Sequence, residues 1–131
     1  IGDGPEKSFY EGYMNKLKLK NVEFVGRRNP EEYYRKSSIL CMTSSHEGFG
    51  MVLTEALQYN MIPVAYKSHE SIEDIIINGK NGFTITPFST KEFYNTLKRI
   101  MSDSKFRDSL LDNIVLYNKN GNFNIKKIAD Q

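Results

Sequence analysis

The residue types best suited to chemistry are concentrated in the segment Ser44-Ser45-His46-Glu47-Gly48-Phe49-Gly50. It follows the apolar run Ile39-Leu40-Cys41-Met42 and precedes a helical pattern that opens at Met51. Gly48 and Gly50 remove side chains where backbone N–H groups would meet an anion, and a helix start adds a positive partial charge. This spacing suits a diphosphate cradle, and it suits a simple tight turn equally well. Glu47 stands in the loop and Glu55 about one turn into the helix. With about 1.5 Å of rise per residue, the two are too far apart to share a proton. Each carboxylate can instead accept two hydroxyl hydrogen bonds, as a sugar or ribose diol offers. A solvated acid at a helix start accounts well for Glu47. It accounts less well for Glu55, set among Leu53, Ala56 and Leu57. Arg27 and Arg28, directly after Gly26, are placed to meet a phosphate or a base, or else form an exposed loop. His46 and His69 are isolated, and no His, Cys and carboxylate cluster has metal-ligand spacing. Cys41, in the middle of its apolar run, is expected to be buried packing.

These residues need elements to position them. Ile1 is read as the end of a strand, left through the turn Gly2-Asp3-Gly4-Pro5. Glu6 to Leu19 has helical periodicity, with Phe9, Tyr13, Met14 and Leu17 on one stripe. Val22 to Val25 reads as a short strand closed by Gly26. Asn29-Pro30-Glu31-Glu32 is a helix start, with an Asn cap, proline in the first turn and acids at the positive dipole end. Ser38 to Thr43 reads as a strand buried on both faces. The helix from Met51 is expected to end near Asn60, where Asn tolerates the left-handed conformation. Ile62 to Tyr66 is a strand with Pro63 at its entrance, and Ser71 to Ile77 a short helix stopped by Asn78-Gly79. Asn81-Gly82 turns into the strand Phe83 to Ile85. Helices are expected over Thr90 to Met101, from Asp103 to Leu116 or beyond, and over Asn124 to Asp130. Phe93, Leu97, Ile100 and Met101 read as the core stripe of the first of these.

Short apolar strands alternating with helices indicate an α/β domain with a mostly parallel sheet. Ligands of such sheets bind beyond the carboxyl ends of the strands. The loops there are Gly2–Pro5, Gly26–Asn29, Ser44–Gly50 and Lys67–Ser71. At 131 residues the chain has the length of one domain. Its 12% aromatic content supplies core material and argues against disorder. A net charge of +2 argues against a nucleic-acid binder. One cysteine excludes an internal disulfide and fits a reducing compartment. No apolar run approaches the roughly 18–20 residues that span a bilayer. The chain opens on Ile1 rather than Met, so further sequence upstream is expected.

The order of these blocks resembles a known family. Gly2-Asp3-Gly4-Pro5, Val22-x-Phe24-x-Gly26, Ser44 through Ala56, Pro63-Val64-Ala65, Asp74-Ile75-Ile76 and Asn81-Gly82-Phe83 are similar to the carboxyl-terminal half of retaining glycosyltransferases of family 4 (glycosyl transferases group 1). The two glutamates with seven residues between them, and Gly-Phe-Gly after the first, are the specific part. The resemblance implies the second, Rossmann-like, three-layer half of a GT-B fold, in which residues 1–131 hold a nucleotide-sugar donor. The amino-terminal acceptor domain and the first strand and helix of this half would lie upstream. It implies Glu47 as the catalytic-site acid on donor-sugar hydroxyls, and the backbone of Gly48, Phe49, Gly50 and Met51 on sugar and diphosphate. Val52 would lie near the ribose, Glu55 on both ribose hydroxyls, Gly26, Arg27 and Arg28 beside the base, and Gly4 on the donor. No metal or other cofactor is implied. The implied partners are a nucleotide-diphosphate-sugar, a sugar or lipid-linked acceptor and the upstream half, with no nucleic acid. The place would be the cytoplasm, or the inner membrane face touched through the upstream half. The family's Gly-Gly-x-x-Glu after the Pro-Val-Ala strand is replaced here by Glu70-Ser71-Ile72-Glu73-Asp74, which bears on the donor-sugar pocket. A GT-B-type epimerase or a non-catalytic nucleotide-binding domain of the same fold are the alternatives. A dinucleotide dehydrogenase is disfavoured, because Gly2-x-Gly4-Pro5 lacks the third glycine and the downstream acid.

Overall fold

The computed structural model describes residues 1–45 and 50–121. The chain divides into two compact units, residues 1–35 and residues 36–131. The first unit contains helix α1 (Lys7–Lys16) and helix α2 (Pro30–Tyr34). Asn29 caps α2 as expected: its Oδ1 accepts the Glu31 N–H at 3.1 Å, and Glu31 and Glu32 occupy the first turn. The apolar stripe of α1 forms, with Phe9 stacked on Tyr13 at 6.5 Å between ring centroids, but Phe9, Tyr13 and Leu17 are exposed.

Val22–Val25 is not a strand. A strand needs a ladder, and here the Gly26 carbonyl accepts a hydrogen bond from the Gly2 N–H at 2.9 Å next to a stretch in which glycines and a proline limit further pairing.

The second unit is a Rossmann-like α/β fold. Its three parallel strands β1 (Ile39–Met42), β2 (Ile62–Tyr66) and β3 (Phe83–Ile85) lie in that order. Helix α3 (Met51–Gln58) connects β1 to β2, and α4 (Ser71–Ile75) connects β2 to β3. Helices α5 (Thr90–Ser102) and α6 (Ser104–Lys119) follow. The register pairs Cys41 with Val64 and Val64 with Phe83. All five residues of β2 are buried, as the central strand of a covered parallel sheet must be. The strand that was expected to be buried on both faces, β1, is not: Met42 is buried, Ile39 and Leu40 are half-buried, and Cys41 is exposed. Within the described sheet β1 is an edge strand, so its apolar run does not make it a central one. Enough protein still surrounds the Cys41 sulfur for desolvation to push its pKa above the usual 9.0.

Close approach of β2 and β3 depends on a glycine. A Cβ at Gly82 would lie 2.6 Å from the Pro63 carbonyl oxygen and 2.7 Å from Pro63 Cγ. Helix α4 stops at Ile75, two residues short of the expected end, because Ile76 turns extended. Asn81 fixes that exit. It is buried, its Nδ2 donates to the Ile75 carbonyl at 3.1 Å, and its Oδ1 accepts the Ile77 N–H at 2.7 Å. On α5, Phe93 and Ile100 are buried and Leu97 packs against the core, while Met101 is 69% exposed. One step of about 100° beyond Ile100 carries Met101 off the stripe. The helix expected over Asn124 to Asp130 lies outside the described residues.

Candidate functional site

The parallel strands all end at one edge of the sheet, and the chain leaves β1 there for the Ser44–Gly50 loop. Thr43 and Ser45 are exposed and Ser44 is half-buried. His46, Glu47, Gly48 and Phe49 lie outside the described residues.

Gly50 closes the loop as the N-cap of α3, at φ +68° and ψ +36°. Backbone conformation, and to a lesser degree space, favours glycine there. The left-handed conformation disfavours any Cβ. A Cβ would also sit 3.3 Å from Leu53 Cδ1 and 3.6 Å from Ile75 Cδ1. Gly50 is therefore wedged between the first turn of its own helix and the end of α4. The Gly50 carbonyl accepts the Leu53 N–H at 2.8 Å, which opens the helix. By helix geometry the N–H groups of the first turn, Met51 and Val52 among them, have no acceptor inside the helix and point toward the loop.

Along α3 the buried face is Leu53, Ala56 and Leu57, each fully excluded from solvent. Burying each Leu stabilises the helix by about 1.5–3 kcal/mol and fixes its rotation. That rotation leaves Met51 67% exposed, Val52 half-buried against the core and Glu55 half-buried on the flank. The far end of α3 is closed by the expected Asn60, at φ +56°. Asn60 N–H donates to the Leu57 carbonyl and Met61 N–H to the Ala56 carbonyl, at 3.0 and 2.8 Å. This Schellman closure is held from α6, where Asn118 Nδ2 donates to the Leu57 carbonyl at 2.7 Å and to Asn60 Oδ1 at 3.1 Å.

The neighbouring loop, Lys67–Ser71, leaves β2 at the same edge. Lys67 Nζ pairs with Glu73 Oε1 at 2.8 Å, and Ser71 Oγ lies 3.1 Å from His69 Nδ1. The Ser68 hydroxyl is buried without a hydrogen-bond partner among the described residues. Gly50, Met51, Val52 and Glu55 thus share one end of one helix in the second unit.

Gly4, Gly26, Arg27 and Arg28 belong to the first unit. Gly26 takes φ +66°, a glycine conformation, while Gly4 has open space around it. Gly4 lines an open cleft of about 590 Å³ together with Asp3, Lys7, Tyr10 and Phe24. Arg27 and Arg28 are exposed.

A family model described as glycosyl transferases group 1 matches residues 1–114. The chain belongs to that family. This group 1 chain is 27% identical over 113 residues to a Campylobacter jejuni α-1,4-N-acetyl-D-galactosaminyltransferase named for a diNAcBac-PP-undecaprenol-linked substrate, covering 86% of the chain and 31% of that protein. Among solved structures it is similar to Anabaena HepE in complex with UDP and glucose. The TM-score is 0.73 at 26% identity, covering 83% of this chain and 31% of that one. It is also similar to the C-terminal domain of a glycosyl transferase group 1 protein from Francisella tularensis, at TM-score 0.70 and 26% identity, covering 82% and 57%. The chain spans about a third of the length of the curated relatives it matches. Among the described residues no helix is long and apolar enough to cross a membrane.

Two features were not anticipated from the sequence: the seating of Gly50 against Ile75 and, ahead of β3, the side-chain clamp of Asn81. Asn78-Gly79-Lys80-Asn81-Gly82 signals turns, and nothing in it separates the asparagine that folds inward from the one that does not.

Proposed function

We propose that this chain is the donor-binding, carboxyl-terminal half of a retaining GT-B glycosyltransferase of family 4, building a bacterial surface polysaccharide or glycolipid. The observation that carries the reading is the left-handed Gly50 at the head of α3, which turns first-turn N–H groups toward the loop with Glu55 one turn behind. An anion is stabilised at such a helix head without a titrating acid. Support also comes from the likeness to HepE, whose structure holds UDP and glucose.

In this reading the diphosphate of a nucleotide-hexose lies against the backbone of Gly48, Phe49, Gly50 and Met51. Glu55 accepts the two ribose hydroxyls, and Val52 packs beside the ribose. Glu47 accepts hydroxyls of the transferred sugar. Gly26, Arg27 and Arg28 border the base, and Gly4 also contacts the donor. The acceptor oxygen bonds to the anomeric carbon as the bond from that carbon to the diphosphate oxygen breaks. The departing diphosphate takes the acceptor proton, so the step needs no metal and no further cofactor. The enzyme works in the cytoplasm, meeting a lipid-linked acceptor at the inner membrane face through its other half. The 131 residues alone bind donor weakly and do not turn over.

The test compares UDP with UDP-glucose by thermal shift and calorimetry, on the wild type and two variants. Ligand should stabilise as RT ln(1 + [L]/Kd), about 2.7 kcal/mol at a hundredfold excess over Kd. Glu55→Ala should weaken both ligands together. Glu47→Ala should weaken UDP-glucose far more than UDP, and an equal loss for both would refute the assignment of Glu47 to the sugar.

A further inference from the structure

Helix α5 buries one face and presents the other. Phe93 and Ile100 are buried and Leu97 packs on the core. Lys91, Tyr94, Asn95, Lys98 and Met101 are exposed, Tyr94 at 61% and Met101 at 69%. Steps of about 100° per residue set Lys91, Asn95 and Lys98 along the outward crest, with Tyr94 and Met101 together on one shoulder. Apolar side chains scattered singly on a surface need no explanation. Here two stand in line beside a row of cations.

The charge of this helix is strongly biased. It carries three cations and one acid, an excess equal to the formal +2 of the whole chain. No acid occurs between Glu92 and Asp103. Both of these are committed to turns: Glu92 Oε2 accepts the Thr86 N–H at 3.1 Å, and Asp103 Oδ1 accepts the Phe106 N–H at 2.9 Å. Lys91, Lys98, Arg99 and Lys105 are all exposed, and among the described residues none of them is in an ion pair. Lys98 Nζ stands 5.9 Å from the Tyr94 ring centroid, and the Arg99 guanidinium lies over Phe106 at 3.8 Å. The helix is also fixed at its end, where Arg107 Nη1 donates to the Ile100 and Met101 carbonyls at 3.3 and 3.4 Å.

We propose that the outward face of α5 is a contact surface for an anionic lipid bilayer, in addition to any contact made by the other half. The proposal goes beyond the donor-binding reading and does not need it. A face about 20 Å long on a single convex helix offers no groove to a peptide, whereas a bilayer is broad and flat. At its boundary Tyr94 buries a ring and keeps its hydroxyl wet, and Met101 adds a flexible apolar chain. The lysines lay their stems along the apolar edge and hold Nζ among the lipid phosphates. Four cations on and beside one amphipathic helix reach the density that reads as attraction to anionic headgroups. A duplex nucleic acid presents a charge about every 1.7 Å, which calls for a denser row.

The chain has no tryptophan, so Tyr94→Trp introduces a single reporter. It is mixed with vesicles of phosphatidylcholine alone or of phosphatidylcholine with phosphatidylglycerol. The emission should move to the blue with the anionic vesicles only, and raised salt should reverse it. In vesicle sedimentation Lys91→Gln and Lys98→Gln should each weaken binding about fivefold. Met101→Ser should weaken it with the salt dependence kept. All these variants should retain Tm and UDP affinity, because the side chains are exposed and outside the candidate donor site. The matched pair Lys16→Gln and Lys20→Gln should leave vesicle binding unchanged, and Phe9→Trp on the exposed stripe of α1 should show no shift. The proposal is overturned if no vesicle binds, whether or not a single-stranded oligonucleotide does, or if neutral vesicles move the reporter equally. It is also overturned if the Lys16 and Lys20 pair costs as much as the Lys91 and Lys98 pair, since the attraction would then belong to the whole chain. Loss of UDP binding in the wild type would refute the donor-binding reading and not this one.

Discussion

Replacing Gly50 by alanine tests the geometry of the candidate site and its link to the core together. At φ +68° an alanine is disfavoured by about 1–2 kcal/mol. The new Cβ would also stand 3.3 Å from Leu53 Cδ1, a mobile side-chain end that can yield at a cost of a few tenths of a kcal/mol, and 3.6 Å from Ile75 Cδ1, an ordinary contact. The sum is about 2 kcal/mol. For a unit of this size that lowers Tm by roughly 8–16 °C, at about 4–8 °C per kcal/mol. Gly50→Asn separates the two contributions, because asparagine enters the left-handed region several-fold more readily. It should keep most of the lost Tm while still carrying a side chain. Differential scanning calorimetry with and without UDP provides the assay. Alanine should reduce both the baseline Tm and the UDP-induced shift, since a residue leaving the left-handed region turns the adjacent peptide N–H away from the ligand. An alanine variant with wild-type Tm and a wild-type UDP shift would refute the argument that this glycine sets the loop.

Gly82→Ala places a methyl group 2.6 Å from the Pro63 carbonyl of the central strand, where backbone rather than a flexible side chain must move. A loss at or above the usual overpacking range of about 1–3 kcal/mol is expected in urea denaturation, and a wild-type midpoint would show that β2 and β3 can separate freely. Cys41 is exposed, yet its pKa is raised above 9.0 by desolvation, so little thiolate exists near neutral pH. Its iodoacetamide alkylation at pH 7.5 should be slower than that of a free cysteine, with the rate still rising above pH 9. A rate that levels off below pH 8.5 would contradict this.

Elements whose signals are local were legible in the sequence. Asn29 before Pro30 marked α2, the Asn60 terminator closed α3, and the run from Ile62 to Tyr66 proved to be the buried central strand. The loop glycine at the head of α3 was also legible, because strand, glycine and helix follow one another within a dozen residues. What failed depended on partners distant in the chain. Val22–Val25 has a strand's composition without a strand's ladder, and Cys41 has a core residue's neighbours on an edge strand. Met101 lies one helical step outside a stripe that its hydrophobicity suggested. The inward fold of Asn81 is a tertiary choice between similar asparagines. The resemblance assigned roles to Glu47 and Glu55 that neither spacing nor burial alone could distinguish.

The clip from Asn118 to the far end of α3 spans 61 positions of sequence. During vectorial synthesis the glycine head and the acid-bearing turn of that helix leave the ribosome early, but the side chain that pins its tail emerges only after two more strands and most of two long helices. Helix α3 therefore gains this clip late, after the strands it packs against have emerged. A nascent chain stalled before residue 118 would carry the residues of the site without their final anchorage.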